Sequence, residues 1–341
     1  MKNILLFCSY LLIVCSCQNE NTIKDYSIST KSNMLSEGKV LFSKDDNCYL
    51  YDLKITDNFY LFLDEKNDTV LRIYEQDNIL QTSISSCRSS EKDKLWKPLF
   101  TKEIHAETED IAYLVDNNTY YKAITLDANN SNMKINTIKP LKQRNMFSRD
   151  FNITTKETFG IPISRDTKCP FYFFNPDSGY YWVDPSPALE KKMPNDVFSY
   201  TNTICLNESQ NTIVSAYRFT NHVSFYGLDG TLKTTVKFGE TPVIPITTSD
   251  PNKIDIRNTS KCFTYICGTA KYVYCLYEGS SDFTNQSKIV VFQWDGKHIN
   301  TWQADRNLQA IAVDKNDKYI LAISRNKNDG QDIIRYYLSV H

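Results

Sequence analysis

Val223-Ser-Phe-Tyr-Gly-Leu-Asp-Gly230, followed by Leu232-Lys-Thr-Thr235, and Ile289-Val-Val-Phe-Gln-Trp-Asp-Gly296, followed by His298-Ile-Asn-Thr301, are two copies of one pattern. Their Asp-Gly pairs lie 66 residues apart. A weaker third copy runs Leu71-Arg-Ile-Tyr-Glu-Gln-Asp77-Asn78, followed by Ile79-Leu-Gln-Thr82. Each reads as a strand, a tight turn and a second strand. Gly or Asn suits the turn because a two-residue type I′ hairpin needs positive φ at its central positions. Repetition of a hairpin at long spacing is the signature of a repeat architecture, in which one supersecondary unit recurs and neighbouring copies bury a shared core.

Working outward, short segments rich in Tyr, Phe, Val, Ile and Thr recur between Asn, Asp, Gly and Lys turns. They include residues 48–55, 59–64, 69–74, 110–115, 120–126, 171–174, 180–184, 212–218, 222–227, 262–268, 272–277, 310–314, 319–324 and 333–338. Few stretches sustain a helical period, so the chain is expected to be all-β. Segments 262–268 with 272–277, and 310–314 with 319–324, are nearly continuous in apolar residues. Such strands are covered on both faces, as when the blades of a propeller pack against one another. We therefore expect a β-propeller in which the repeated hairpins are the outer strand pairs and the apolar hairpins the inner ones. At four strands per blade, six blades fit the chain, with seven left open. Residues 90–100 and 185–192 are expected to hold a helical turn or two. The polar region 129–165 hides its blade boundaries, and a division into two domains there is the alternative.

The N-terminus sets the compartment. Lys2 precedes the apolar run Ile4 to Val14, which is too short to span a bilayer and has the layout of a secretory signal. Val14-Cys15-Ser16-Cys17 resembles the bacterial lipobox, which makes Cys17 the expected lipid-attachment residue and the first residue of the mature chain. The expected organisation is a lipoprotein signal peptide over 1–16, a lipid-anchored polar tether over 17–37 and the propeller over 38–341. More than one acyl chain is needed for stable membrane attachment, which lipobox processing supplies.

Without Lys2, 38 basic residues stand against 40 acidic ones, a formal charge of −2 that gives no footprint for nucleic acid. Hydrophobic residues at 41% and aromatic residues at 13% are ample for a large core. Seven cysteines accompany Cys17, namely Cys48, Cys87, Cys169, Cys205, Cys262, Cys267 and Cys275; odd in number and widely spaced, they are expected as buried thiols. A turn at Gly268 to Lys271 would set Cys275 opposite Thr264 and not opposite Cys267. There is no Cys-x-x-Cys pair, and His105, His222, His298 and His341 are dispersed, each expected at a surface or a turn. No metal or cofactor site is expected.

The C-terminal segments Lys271-Tyr-Val-Tyr-Cys-Leu-Tyr-Glu-Gly279, Lys288-Ile-Val-Val-Phe-Gln-Trp-Asp-Gly296 and Leu308-Gln-Ala-Ile-Ala-Val-Asp314 resemble the TolB-like six-bladed propeller lipoproteins common in Bacteroides-type bacteria. Residues 217–230 add to the likeness, which covers roughly the last 125 residues well. The resemblance implies a six-bladed fold and an exported, lipid-anchored protein of the cell envelope, facing the periplasm or the surface of an outer membrane. It carries over no catalytic residues. Only ten glycines are present, so Asn is expected at many turns.

A propeller by itself specifies no activity. The leading expectation is a binding or scaffold domain for a protein, peptide or glycan partner. Asn175-Pro-Asp-Ser-Gly-Tyr-Tyr-Trp182 could offer aromatic contacts, although it is better read as a turn entering a core strand. The alternative is a propeller hydrolase, a glycosidase or a calcium-dependent lactonase, with carboxylates converging in the channel. No carboxylate pair stands out among the 40 acidic residues, and no Gly-x-Ser-x-Gly elbow is present.

Overall fold

The computed structural model describes residues 24–338, except 46, 67, 80–82, 90, 92–93, 105–109, 128–131, 142–147, 163–167 and 192. Cys17 and the expected signal peptide lie outside the described residues. From Lys24 on, the segment expected as tether carries strands: β1 (Lys24–Ile28) and β2 (Asn33–Met34). β3 (Lys39–Lys44) follows.

The chain then builds six antiparallel sheets in succession. Blade 1 is β4 (Leu50–Ile55), β5 (Phe59–Asp64), β6 (Thr69–Glu75) and β7 (Ser83–Cys87). Blade 2 is β8 (Pro98–Phe100), β9 (Ile111–Asp116), β10 (Tyr120–Asp127) and β11 (Asn132–Pro140). Blade 3 is β12 (Ser148–Ile153), β13 (Thr158–Pro162), β14 (Tyr172–Asn175) and β15 (Gly179–Trp182). Blade 4 is β16 (Asn202–Asn207), β17 (Thr212–Tyr217), β18 (His222–Tyr226) and β19 (Leu232–Phe238). Blade 5 is β20 (Lys261–Gly268), β21 (Tyr272–Ser280), β22 (Lys288–Gln293) and β23 (His298–Gln303). Blade 6 is β24 (Ala310–Val313), β25 (Tyr319–Arg325), β26 (Gln331–Tyr337) and, from the other end of the chain, β3.

The protein is thus an all-β, six-bladed propeller. The first strand of each blade lies innermost, and these strands touch in ring order from β4 through β8, β12, β16 and β20 to β24 and back to β4. β3 closes the ring by pairing antiparallel with β26, Lys44 opposite Gln331 and Lys39 opposite Arg335. Before reaching β3 the chain lies along the rim. β1 adds a fifth strand to blade 4, parallel to β19, and β2 adds one to blade 5, parallel to β23.

Apolar faces meet between blades. Val214, Phe225 and Val236 of blade 4 pack on Ile266, Val273 and Phe292 of blade 5. Tyr60 and Phe62 of blade 1 join Ile311, Ile320 and Ile333 of blade 6. The contact between blades 2 and 3 is leaner, with Val115, Tyr121, Leu141, Phe151 and Ile153. Each fully buried Leu, Ile or Phe contributes roughly 1.5–3 kcal/mol. The ring therefore rests on the lateral contacts that a single hairpin cannot make.

The two best copies are outer pairs as expected, β18–β19 and β22–β23; the third begins in β6, but most of its expected second strand, residues 80–82, lies outside the described residues and β7 starts only at Ser83. The turns differ from the expected type I′. In the two best copies only the glycine has positive φ, +82° at Gly230 and +93° at Gly296. Gly230 N donates to Gly227 O at 3.0 Å, and Gly296 N to Gln293 O at 3.0 Å. A register shift follows in each partner strand, at Phe225/Tyr226 and Val291/Phe292. This is a turn with one left-handed glycine forming a bulge, the commoner solution for a longer hairpin loop. Residues 90–100, expected to be partly helical, hold β8 and no helix among the described residues, whereas Pro187–Glu190 is a short helix as expected. Asn117, Asn118 and Asn211 take positive φ at turns, standing in for glycine.

The seven described cysteines are free thiols; Cys87 is exposed, and Cys48, Cys169, Cys205, Cys262 and Cys275 are buried. The turn begins one residue later than expected, with Gly268 still paired to Val273 and Thr269 N bonded to Tyr272 O, which places Cys275 opposite Ile266 and not opposite Thr264. His222 is not at the surface but buried at the start of β18, where its Nδ1 meets Thr220 Oγ1 at 2.8 Å. His105 and His341 lie outside the described residues.

Candidate functional site

All six inner strands run in the same direction, so one face of the ring collects their ends at Ile55, Phe100, Ile153, Asn207, Gly268 and Val313. We call it the exit face. A cavity of about 590 Å³ opens there at the channel. Its wall combines Ile55, Ile111 and Val313 with the aromatic rings of Tyr113 and Tyr265. Three lysines reach it: Lys54, whose Nζ donates to Thr101 O at 3.3 Å, Lys315, which pairs with Asp57 at 2.7 Å, and Lys102. The size and the mixture of apolar wall with a few charged groups fit a small-molecule site.

The segment Thr101–Ile104 decides the channel's shape. Thr101 N still bonds Tyr113 O in blade 2 at 3.1 Å, as a continuation of β8 would. The chain then leaves its own blade, passes the inner strand of blade 3 and pairs in parallel with β16 of blade 4. Ile104 N donates to Leu206 O at 2.9 Å, and Leu206 N to Lys102 O at 3.4 Å. The Cys205 thiol also donates to Lys102 O, at 3.0 Å. Glu103 caps the passage: its carboxylate accepts from Tyr121 OH at 3.1 Å and from Ile153 N at 3.3 Å. A strap thus crosses the channel and satisfies polar groups on blades 2, 3 and 4.

A buried charge network rests on this strap. Lys102 Nζ lies 3.2 Å from Asp150 of β12, 3.3 Å from Thr203 Oγ1 of β16 and 4.2 Å from the centre of the Tyr265 ring. Thr203 Oγ1 donates to Asp150 at 2.7 Å. The Tyr265 hydroxyl donates to Asp52 of β4, which also accepts from Leu53 N at 2.9 Å. Burial pushes the Asp52 carboxyl above its ordinary value, and the nearby Lys102 offsets only part of this. Burial acts to lower the Lys102 ammonium, but Asp150 and Asp52 outweigh it and hold it above its ordinary value. Burial, then Asp52, drives the Tyr265 hydroxyl far up, so it stays a donor. Asp52, Lys102 and Tyr265 line the cavity, while Asp150 and Thr203 stand behind Lys102. Five blades are tied by one network, since breaking a buried pair leaves an uncompensated charge.

A second, shallower cavity of about 350 Å³ lies on the rim between blades 3 and 4, lined by Phe173, Tyr181, Trp182, Pro187 and Leu232. Here the 175–182 segment departs from the expected core strand. β15 is the outer strand of its blade, and Tyr181 and Trp182 are 43% and 42% exposed. Tyr181 stacks on Phe173 with ring centres 4.9 Å apart.

Neither Asp52, Lys102, Asp150 nor Tyr265 stands out among the sequence's candidates. The signal was a charge inside an apolar strand, Tyr51-Asp52-Leu53, but the many turn aspartates mask it. Among the described residues no group of three His, Cys, Asp or Glu side chains is placed to hold a metal ion.

With this geometry in view, comparison with known proteins finds neighbours in structure. One solved protein, from Bacteroides fragilis and assigned as exported, is 10% identical; the match covers 93% of this chain and all of that one, with a TM-score of 0.53. A member of the DUF4221 family from Bacteroides vulgatus is 9% identical, with 90% and 99% of the two chains covered and a TM-score of 0.56. The likeness is one of fold. No protein-family profile matches the chain, and no curated protein matches it.

Proposed function

We propose that this chain is an exported, lipid-anchored binding protein of the bacterial cell envelope, held by Cys17, whose ligand site is the exit-face cavity. The observation that carries the reading is the strap Thr101–Ile104 with its charge network, which shapes one end of the channel into a small amphipathic cavity of about 590 Å³. Support for export comes from the signal-like N-terminus and from a structural neighbour assigned as exported. The resemblance to TolB-like propeller lipoproteins points the same way.

Binding is favoured over hydrolysis by the state of the carboxylates. Asp52 is engaged by Tyr265 and Leu53 N, Asp150 by Lys102 and Thr203, and Glu103 by Tyr121 and Ile153 N. Each is committed to holding strands together, whereas a general acid or base must reach a substrate proton.

Ala270 is exposed at the cavity and its substitution by Trp fills space without touching the network. In a thermal-shift screen of small amphipathic metabolites, a true ligand at a hundred times its Kd stabilises the wild type by about 2.7 kcal/mol. Ala270→Trp is expected to abolish that shift while keeping the ligand-free melting temperature. A shift that survives Ala270→Trp would place the ligand elsewhere and refute this reading.

A further inference from the structure

We infer that the propeller is held with its exit face, and therefore its channel cavity, toward the membrane. The inference rests on the lipid anchor proposed at Cys17 and adds the orientation that this anchor imposes.

The argument is one of strand direction. Within blade 4, β16 ends on the exit face, β17 returns, β18 comes back to the exit face, and the turn 227–231 lies there. β19 therefore starts at the exit face. β1 is parallel to β19, with Lys24 opposite Thr234 and Ile28 opposite Phe238, so Lys24 also stands at the exit-face end. The Tyr26 hydroxyl donates to Gly296 O, in the exit-face turn of the next blade, which ties β1 to that side. The chain is thus fastened to the rim from Lys24 onward, through β2 and β3.

Only seven residue steps separate Cys17 from Lys24, a reach of at most about 25 Å whatever their conformation. A free tether of twenty residues would have left the disc unoriented. To bring the opposite face to the bilayer, this short reach would have to double back along the roughly 13 Å of β1. It would then have to clear the long connection 239–260, which stands on that face with Ile244 and Ile246 exposed. The exit face, by contrast, carries the short turns 56–58, 154–157, 208–211, 227–231 and 269–271 beside the strap, and β1 starts on that side. Ligands would enter the cavity from the membrane-proximal space, and the loops of the far face would be left for soluble partners.

Fluorescence quenching tests this on the full lipidated chain, reconstituted in vesicles of phosphatidylethanolamine and phosphatidylglycerol containing headgroup-nitroxide lipid. Single fluorophores are placed at Gln210→Cys and Lys156→Cys on the exit face and at Lys253→Cys on the far face, each with Cys87→Ser. Native Cys87, at the far-face end of β7, gives the fourth site. Quenching at Gln210→Cys and Lys156→Cys is expected to exceed that at the far-face sites at least twofold. Inserting a twenty-residue Gly-Ser spacer after Gln18 is expected to level the four values. Equal or reversed quenching in protein that floats with the vesicles overturns the orientation alone. If the wild type floats no better than Cys17→Ala, the anchor reading and the orientation fall together.

Discussion

Lys102 and Asp150 meet at 3.2 Å in the centre of the ring although they belong to different blades, Lys102 on the strap from blade 2 and Asp150 on the inner strand of blade 3. The pair brings charge into the place where the inner strands converge, and Thr203 and the Tyr265 ring complete its surroundings.

Lys102→Met keeps length and apolar contact but removes the cation. Asp52, buried, and Asp150, largely buried, are then left without it, and a loss of about 3 kcal/mol, the low end for a broken buried pair, is expected. Urea unfolding monitored by tryptophan fluorescence checks this; a loss under about 1 kcal/mol would show that the network is not a structural tie.

Asp52 controls one part of the pH dependence. A carboxyl raised above its unfolded value holds its proton more tightly in the folded state, so its contribution to stability falls as pH rises from the ordinary 3.8 through the raised folded value. Asp52→Asn keeps an acceptor for the Tyr265 hydroxyl and has no charge to bury. The wild type is expected to lose stability relative to this variant as pH climbs across that window, as measured by unfolding at pH 4 and pH 7. A constant difference between the two would remove Asp52 from the account.

The repeated turns carry unequal strain when their glycines are replaced. A Cβ at Gly296 would lie 2.6 Å from Thr234 Cγ2, whereas at Gly230 the nearest atom is Val183 Cγ2 at 3.1 Å. Both positions have positive φ, which a β-branched residue resists. Gly230→Val and Gly296→Val are each expected to cost roughly 1–3 kcal/mol, with Gly296→Val the worse. Melting temperatures in the reverse order would mean that the neighbours yield more easily than the backbone.

Closure of the ring depends on β3. Phe42 packs against Tyr74 at 4.7 Å and Phe62 at 5.9 Å between ring centres, joining blade 6 to blade 1. Phe42→Ala is expected to destabilise the whole propeller by about 2–3 kcal/mol, somewhat below the range for a fully buried Phe. Calorimetry should show one cooperative transition at lower temperature. An unchanged melting temperature would show that closure does not depend on this ring.

Thiol reactivity follows burial. Cys205 and Cys262 are pushed up to about 12 by desolvation, while Cys87 is exposed. Iodoacetamide at pH 8 is expected to modify Cys87 well ahead of the five buried cysteines, which react only on unfolding. Mass spectrometry of the folded protein reads this directly, and early labelling of Cys205 would contradict a closed strap over β16.

Blades 4 to 6 were legible because their hairpins are local and both faces are apolar. Leu232–Phe238 matches the expected segment end to end, as does Phe59–Asp64 in blade 1. The polar edge strand Asn132–Pro140 was not, since none of its residues is fully buried and they leave no periodic apolar face to find. Blades 2 and 3 share the leaner core, which is why their boundary was hidden between residues 129 and 165.

What the residues determined alone was the hairpin: its turn, its alternation and therefore an all-β chain of repeated units, because these depend on neighbours within a dozen positions. Only the tertiary structure decided that Lys24–Ile28 lies on blade 4, that Thr101–Ile104 leaves its own blade for another, and that Asp52, Lys102 and Asp150 share one buried network. Those pairings join residues far apart in the chain. Their energy comes from satisfying buried polar groups once the ring has closed, and no local pattern records it.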